Sequence, residues 1–241
     1  MTMDDATAIR EQVATEALLD VRRQAWLPTA EGLDPASEAL AVLRGAQPHR
    51  VLEVGCGTGE FAARLVAALP DAEVLAVDLS ERMVDLASRR GIDARVADLH
   101  HLPFPAGHVE AAAAMWMLHH LDDVPAGIAA LRRVLAPGGV LVAVTHGAGH
   151  VASLRSEAGG APVDLPFSSE NGEALLRGSF EAVVRHDFAT RAVFGDHAAA
   201  LAYLRAGLED APAATGSTTW DLPYFEGARE ETGQVTLFIA S

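Results

Sequence analysis

The residues with the clearest chemical potential lie in a glycine-rich stretch with the sequence Val51-Leu-Glu-Val-Gly-Cys-Gly-Thr-Gly-Glu-Phe61. Its first four residues predict a buried strand, and the apolar spacing after the glycines predicts a helix. Glycine adopts a positive φ freely and lets a ligand touch the main chain. A helix start adds free N–H groups and a partial positive charge. The stretch therefore predicts the opening of a nucleotide-binding α/β unit.

Two carboxylates accompany this turn. Glu53 lies in the apolar strand, where an unpaired charge is costly. Asp78 ends the next apolar run, and roughly 20 residues from the last glycine is the spacing that brings a carboxylate to ribose hydroxyls. The first half of the chain is therefore predicted to bind a nucleoside. The alternatives are a tight turn without a ligand and, for Asp78, a helix cap next to Ser80.

The glycine spacing, Glu53-x-Gly55-x-Gly57-x-Gly59, differs from the dinucleotide pattern G-x-G-x-x-G. It resembles motif I of the class I S-adenosylmethionine-dependent methyltransferases. Four further segments resemble later motifs of that family, in the same order, and extend the resemblance over residues 50–147. They are Val77-Asp-Leu-Ser80 with Met83, Ala97-Asp-Leu99 with Leu102-Pro-Phe-Pro105, Ala114-Met-Trp-Met-Leu-His-His-Leu-Asp122, and Leu131-Arg-Arg-Val-Leu-Ala-Pro-Gly-Gly-Val140.

The resemblance implies S-adenosyl-L-methionine as the cofactor and S-adenosyl-L-homocysteine as its product. Glu53 would then contact the cofactor's ammonium group, directly or through water, and Asp78 its ribose hydroxyls. Asp98 would accept a hydrogen bond from the adenine amino group, and the Leu99 N–H would meet a ring nitrogen. The implied cofactor-binding residues are Glu53, Gly55, Cys56, Gly57, Gly59, Asp78, Leu79, Met83, Asp98, Leu99, Met115 and Met117. Cys56 is interpreted as a small packing residue, because nothing in the sequence lowers its thiol pKa.

Two adjacent histidines are the catalytic candidates. His119 and His120 follow the predicted fourth strand, and ligands bind beyond the carboxyl ends of parallel strands. An imidazole there could take a proton from an acceptor hydroxyl, amine or thiol at neutral pH. The alternative is that they cap or pack against the next helix. A likeness to the Gly-His-Leu step of sugar N-methyltransferases favours His120 slightly.

The other histidines do not predict a metal site. Neither helical nor finger-type ligand spacing is present, and Thr145-His146-Gly147 occupies the place where catechol-type methyltransferases need acids. The acceptor is not encoded in any motif. Candidates to line its cavity are His146, Phe167, Phe194, Tyr203, Trp220 and Tyr224, with Arg22, Arg23 and Trp26 from the N-terminal segment, although ordinary packing is the simpler interpretation of most of them.

The amino-acid composition limits the classes of molecule that the protein is expected to bind. The net charge of the 241 residues is −15, and all 18 basic residues are Arg. Such a surface disfavours nucleic acids and anionic membranes, and without Lys no Schiff base can form. Cys56 is the single cysteine, which fits a reducing cytoplasm. We find no signal peptide and no apolar run long enough to span a membrane.

Alternating strand and helix patterns predict an α/β fold with a parallel sheet in one domain, residues 1–241. An N-terminal helical lid would occupy residues 1–45, with its first helix ending at Pro28. The cofactor-binding core would follow at 50–147, and acceptor-side insertions and final strands at 148–241. The resemblance implies a Rossmann-like, doubly wound sheet of seven mostly parallel strands, with the last antiparallel.

The predicted function is methyl transfer to a small-molecule acceptor by direct displacement, in a monomer or homodimer. Oxygen, nitrogen, sulfur and carbon nucleophiles all remain open as acceptors. One alternative is an enzyme of the same fold that uses the cofactor without transferring the methyl group, as a pericyclase or decarboxylase does. Others are an NAD(P)-dependent oxidoreductase and a non-catalytic cofactor-binding module.

Overall fold

The computed structural model describes residues 21, 25–161, 164–207 and 220–241. The strands in these ranges are β1 (Trp26–Leu27), β2 (Arg50–Val54), β3 (Glu73–Asp78), β4 (Asp93–Val96), β5 (Val109–Met115), β6 (Leu135–His146), β7 (Val183–Phe194) and β8 (Arg229–Ala240). The helices are α1 (Pro35–Ala46), α2 (Glu60–Ala68), α3 (Glu81–Arg89), α4 (Val124–Val134), α5 (Ala152–Glu157), α6 (Gly172–Arg177) and α7 (His197–Ala206), with short 3₁₀ helices at Leu99–His101 and Leu118–His120. Within these ranges, none of the helices has the length and apolar character needed to cross a bilayer.

The strands form a single mixed sheet with the order β1-β7-β8-β6-β5-β2-β3-β4. The pairs from β4 through β6 are parallel, whereas β8 pairs antiparallel with β6 and β7. From β2 the chain winds outward to β4 and then returns through β5 to the other side. The Rossmann-like, doubly wound sheet and its antiparallel last strand are therefore confirmed, with the reversal of winding between β2 and β5.

The eighth strand, β1, was not predicted. The sequence pattern placed Trp26 in a helix that ends at Pro28, but Trp26 and Leu27 pair antiparallel with Ala192 and Arg191 of β7. The indole packs over Gly233 in β8, where any Cβ would collide with the ring. This contact holds the segment extended along the sheet edge. The predicted helix at residues 1–20 and 22–24, with Arg22 and Arg23, lies outside the described residues.

Helices cover both faces of the sheet. On one face, α1, α2 and α3 pack through Leu43, Leu65 and Ala87 against strand residues such as Val51. On the other face, α4 and α6 pack against alternate strand residues such as Leu52. The central strands are therefore buried on both sides, as expected of a parallel sheet. A third apolar cluster, beside α5 and α7, supports the β1 edge.

Most helix starts carry a side-chain cap. Asp34, Ser80, Asp123 and Asp196 each accept a hydrogen bond from the first turn of α1, α3, α4 and α7, respectively. Helix α2 differs because its N-cap is Gly59, which has no side chain to offer. In the first turn of α2, the Ala62 N–H donates to the side chain of Glu53 in β2.

Candidate active site

A cavity of about 570 Å³ opens at the carboxyl ends of the parallel strands. This volume lies within the range of about 300–1,000 Å³ that is usual for small-molecule sites. The cavity spans the point where the winding reverses, which is where open α/β sheets bind ligands. Its two ends differ in chemistry. The acidic half contains Glu53, Asp78 and Asp98, and the aromatic half contains Trp26, Trp116, His119, His146 and His150.

The glycine turn forms the floor of the acidic half. Gly55, Gly57 and Gly59 all have positive φ, at +64°, +52° and +77°. A Cβ on Gly57 would meet nothing within 4 Å, so a ligand has open access to this backbone. A Cβ on Gly59 would lie 2.7 Å from that of Ala87. Gly59 is therefore a packing residue that brings α2 against α3, and it does not line the cavity as the sequence predicted.

Glu53 is the most deeply buried acid of the cavity, with 2% of its surface exposed. Burial, by far the largest cause, raises the pKa of its carboxyl well above the ordinary value, against a hydrogen bond from the Ala62 N–H. Its Oε2 atom has no hydrogen-bond partner in the part of the chain that the structure describes. A buried hydrogen-bond acceptor without a donor costs folding free energy, so we expect a ligand to supply the donor.

Asp78 ends β3 and bonds to the glycine turn. Its Oδ2 accepts the Gly57 N–H at 2.8 Å, and its Oδ1 accepts the Ser80 N–H at 2.9 Å. Burial raises the pKa of Asp78, and these two bonds and the charge of His120 limit the rise. The helix cap itself is Ser80. Asp78 therefore fixes the turn and still faces the cavity with its remaining lone pairs.

Asp98 caps the 3₁₀ helix at Leu99–His101. Its Oδ1 accepts the His100 N–H at 2.9 Å and lies 3.0 Å from His100 Nδ1. Partial burial raises the pKa of Asp98, but the hydrogen bonds from His100 and His101 outweigh it and lower the pKa overall. Asp98 and Leu99 both line the cavity. Asp98 therefore stabilises this turn and is also accessible to a ligand in the cavity.

The remaining predicted cofactor residues divide into two groups. Cys56, Leu79, Met115 and Met117 line the cavity. Met83 does not line the cavity, because its side chain is fully buried on the core-facing side of α3. Burial strongly raises the pKa of the Cys56 thiol, which agrees with a packing role and with no role as a nucleophile.

The two candidate histidines lie on the 3₁₀ helix that follows β5, and both line the cavity. Their ring centroids lie 4.2 Å apart, but the other contacts of the two rings differ. His119 is 7% exposed and its ring centroid lies 5.7 Å from that of His146, in the aromatic half. The charge of His120 instead acts on Asp78, in the acidic half. The two side chains therefore face different partners.

A row of rings continues the aromatic half away from His119. The His146 and His150 ring centroids lie 3.8 Å apart, and Trp26 stacks on His150 at 4.2 Å. His150 Nδ1 lies 3.3 Å from the Gln234 carbonyl oxygen, and its Nε2 lies 3.3 Å from the Tyr203 hydroxyl. No group of three or more His, Cys, Asp or Glu side chains among the described residues is arranged to hold a metal ion.

Of the predicted acceptor-side residues, Trp26 and His146 line the cavity. Phe167, Phe194 and Tyr203 are buried in apolar clusters, Trp220 packs beside Arg155, and Tyr224 is 77% exposed. Sequence reasoning missed Trp116, His150 and Thr190. Trp116 lies between Met115 and Met117, which were both predicted, so its position in that motif was the available signal. No motif marks the other two.

Comparisons with known proteins identify the segment that holds the acidic half. Residues 51–139 match the family described as methyltransferase domain. Demethylmenaquinone methyltransferase of Deinococcus radiodurans is 35% identical over 113 residues, which cover 44% of this chain and 45% of that protein. Residues 51–139 therefore carry a methyltransferase domain. The resemblance stated from the sequence is thereby confirmed, although the chain spans about half the length of the curated relatives it matches.

Solved structures show the same fold. An S-adenosylmethionine-dependent methyltransferase from Mesorhizobium loti superposes with a TM-score of 0.53 at 21% identity, covering 86% of this chain and 98% of that one. The [4+2]-cyclase SpnF superposes with a TM-score of 0.55 at 22% identity, covering 85% and 80%. The methyltransferase domain matched by sequence ends at residue 139, so His146, His150 and Thr190 of the cavity wall lie beyond it.

Proposed function

We propose that this chain transfers a methyl group from S-adenosylmethionine to a small-molecule acceptor. The observation that carries the proposal is Glu53, a buried carboxylate in the cavity wall whose Oε2 has no hydrogen-bond partner within the described ranges. The ammonium group of the cofactor's methionine portion supplies the donors and the positive charge that this atom lacks. The open space over the Gly57 backbone fits the same ligand.

The other two acids hold the nucleoside. A carboxylate has about four acceptor positions, and the backbone bonds to Asp78 use two of them. Asp78 therefore accepts the ribose hydroxyls while it keeps the glycine turn in place. Asp98, whose lowered pKa keeps it ionised, accepts from the adenine amino group beside Leu99.

The bound cofactor supplies an electrophilic methyl group on a sulfonium. The residues of the chain orient the acceptor toward it, exclude water and remove a proton, and positioning alone can supply a large part of the acceleration. We assign the base to His119, because its ring lies in the aromatic half near His146. His120, which the sequence favoured slightly, is instead assigned to the cofactor side through its interaction with Asp78.

A small-molecule acceptor is supported by the cavity volume of about 570 Å³ and by the net charge of −15, which disfavours nucleic acids. The Deinococcus relative is named for such an acceptor, demethylmenaquinone. The fold shared with the [4+2]-cyclase SpnF keeps a reaction without methyl transfer as the alternative to be tested.

Calorimetric titration with S-adenosylhomocysteine, with NADH as the control, tests the cofactor. We expect binding of the first and none of the second, and the reverse would overturn the proposal. Incubation of acceptor libraries with methyl-labelled S-adenosylmethionine then tests the reaction. A labelled product heavier by one methyl group is expected, whereas an unlabelled product of unchanged mass would favour the alternative.

A further inference from the structure

Two buried polar atoms in the aromatic half have no hydrogen-bond partner among the described residues. Trp116 Nε1 and Thr190 Oγ1 are buried, line the same cavity, and make no hydrogen bond within the described part of the chain. Thr190 is 5% exposed. Buried groups of this kind are rare unless a ligand or water completes them. The indole N–H can only donate, so it needs a lone pair on its partner, while the hydroxyl can donate or accept.

The backbone of Trp116 adds an independent observation. Its φ is +51°, a conformation that costs an aromatic residue free energy and that occurs mainly where function requires it. Its own N–H donates to the Val144 carbonyl at 2.8 Å, which holds the strained residue against β6. The indole ring centroid lies 6.3 Å from that of His146, at the near end of the row of rings. Thr190 lies at the far end. Its hydroxyl and the Trp26 ring occupy the space that a Cβ on Gly233 would need.

The wall between these two atoms is aromatic. Trp26, His150 and His146 form a stack there, with neighbouring ring centroids 4.2 and 3.8 Å apart and ring planes at 27° and 43°. Among the described cavity residues, the only Arg or Lys is Arg64, which is bound to Ser37 and Asp34 at the α1 side. Aromatic rings favour an aromatic partner, in edge-to-face or offset-stacked contact. A carboxylate or phosphate would find no guanidinium or ammonium group among the described residues of this half.

We propose that the acceptor is an uncharged, planar aromatic molecule with an oxygen substituent, which packs against this wall and accepts a hydrogen bond from Trp116 Nε1. Thr190 binds a polar group at the other end of the wall. The proposal rests on the proposed function, since it assigns the acceptor of that reaction. Under this proposal, Trp116 and Thr190 determine specificity, because they recognise the oxygen atoms of the acceptor.

Calorimetry on the protein saturated with S-adenosylhomocysteine tests the assignment with four probes: naphthalene, naphthol, the saturated decahydronaphthol and naphthoate. Naphthol should bind tightest, because it alone is planar, neutral and oxygenated. Trp116→Phe keeps a ring but removes the N–H, so it should weaken naphthol about 3- to 10-fold while leaving naphthalene unchanged. Thr190→Val makes the equivalent deletion at the other end, and decides the question if Trp116→Phe does not fold.

Trp220→Phe is the matched control, because Trp220 Nε1 is also buried and has no hydrogen-bond partner within the described ranges, but lies outside the cavity wall. It should change none of the four affinities. The assignment is wrong if naphthol and naphthalene bind equally well, if naphthoate binds tightest, or if the foldable variants leave the ratio of naphthol to naphthalene affinity unchanged. A protein that fails to bind S-adenosylhomocysteine would instead overturn the proposed function, and the acceptor assignment with it.

Discussion

The acidic and aromatic halves of the cavity are built in opposite ways. The acidic half comes from consecutive strand–turn–helix units, β2 to α2 and β3 to α3, whose strands are neighbours in the sheet. The aromatic half takes Trp26 from β1, Trp116 from the end of β5, His146 from β6 and Thr190 from β7. These residues span more than 160 positions of the chain. One half is therefore a local structure, and the other exists only once the whole sheet has formed.

The difference follows what each half has to bind. A ligand with a sulfonium, an ammonium and a nucleoside demands the same charges and turn in every protein that uses it, so a short motif can encode them. An acceptor differs from enzyme to enzyme, and the residues proposed to face it here come from the edge strand β1, the carboxyl ends of β5 and β6, and β7. The methyltransferase match over residues 51–139 contains the acidic half and ends before His146.

The sharpest test of this division replaces each of the two neighbouring histidines in a separate variant. We expect His119→Gln to lower kcat by about 10²- to 10⁴-fold, because it removes the proposed base from the aromatic half. S-adenosylhomocysteine affinity should stay within about twofold of the original protein. His120→Gln is the matched control, and its main effect should fall on cofactor affinity through Asp78. Initial rates at saturating cofactor, with the acceptor found by screening, give the measurement.

If His120→Gln lowers kcat more than His119→Gln, the assignment of the two side chains is reversed. If neither variant changes kcat, the acceptor is deprotonated without either histidine and positioning alone carries the reaction.

The acidic half is tested by Asp78→Asn. The amide keeps the shape but offers only one acceptor oxygen, so the ribose hydroxyls and one of the Gly57 and Ser80 N–H groups lose their partner. We expect S-adenosylhomocysteine to bind about 10- to 100-fold more weakly by calorimetry. Asp93→Asn, at an exposed ion pair with Arg95 on β4, should leave the affinity unchanged. Equal affinities for both variants would remove Asp78 from the cofactor site.

Much of the acidic half could be predicted because its signals are local. The run from Glu53 to Gly59 and the spacing to Asp78 place a strand, a turn and a second strand without any long-range information. The errors there concern direction. Gly59 and Met83 belong to the same motifs as the cavity residues. However, Gly59 packs closely against Ala87 of α3, and the Met83 side chain is fully buried on the core side of α3. Spacing places a residue in an element without showing which side faces the ligand.

The aromatic half could be predicted only in part, through His119, His146 and Trp26, because its contacts depend on strand order. Trp26 was assigned to a helix from local periodicity, yet pairing with β7 and packing over Gly233 hold it in a strand. Thr190 and His150 are ordinary residues in sequence and reach the cavity only through the antiparallel pairing of β6, β7 and β8. Of the aromatic residues considered, most proved to be packing residues, as the simpler interpretation had it.

The junction of the two halves is tested by a pair of glycine variants. Gly55 and Gly57 both have positive φ, so Gly55→Ala and Gly57→Ala should each lose about 1–2 kcal/mol of unfolding free energy. A Cβ at Gly55 would also lie 2.7 Å from Cβ of Met117, which begins the 3₁₀ helix of His119, whereas Gly57 has open space. Overpacking should therefore cost Gly55→Ala about 1–3 kcal/mol more in urea unfolding. Equal costs would mean that Met117 moves aside freely and that the halves are mechanically independent.

The smallest expected effect is that of Glu53→Gln on stability. This variant separates the contribution of Glu53 to stability from its contribution to cofactor binding. Because burial raises the folded-state pKa of Glu53 above its ordinary value of 4.5, the folded protein binds the proton more tightly than the unfolded chain does. The free energy of unfolding then falls as pH rises from about 4.5 through the folded-state pKa. Glutamine cannot ionise, so the variant escapes this loss. We expect it to match the original protein near pH 4 and, at pH 8, to exceed its stability by about 1 kcal/mol, or a Tm increase of about 2–4 °C.

The raised pKa of Asp78 contributes with the same sign in both proteins, so it cancels when their Tm values are compared at each pH. Addition of S-adenosylhomocysteine should reverse the order at pH 8, because its ammonium stabilises the ionised Glu53 but gains less from the neutral amide. A variant that is less stable than the original at every pH, and that binds S-adenosylhomocysteine equally well, would mean that Glu53 serves the fold. The acidic half would then lose the buried charge that distinguishes it from the aromatic half.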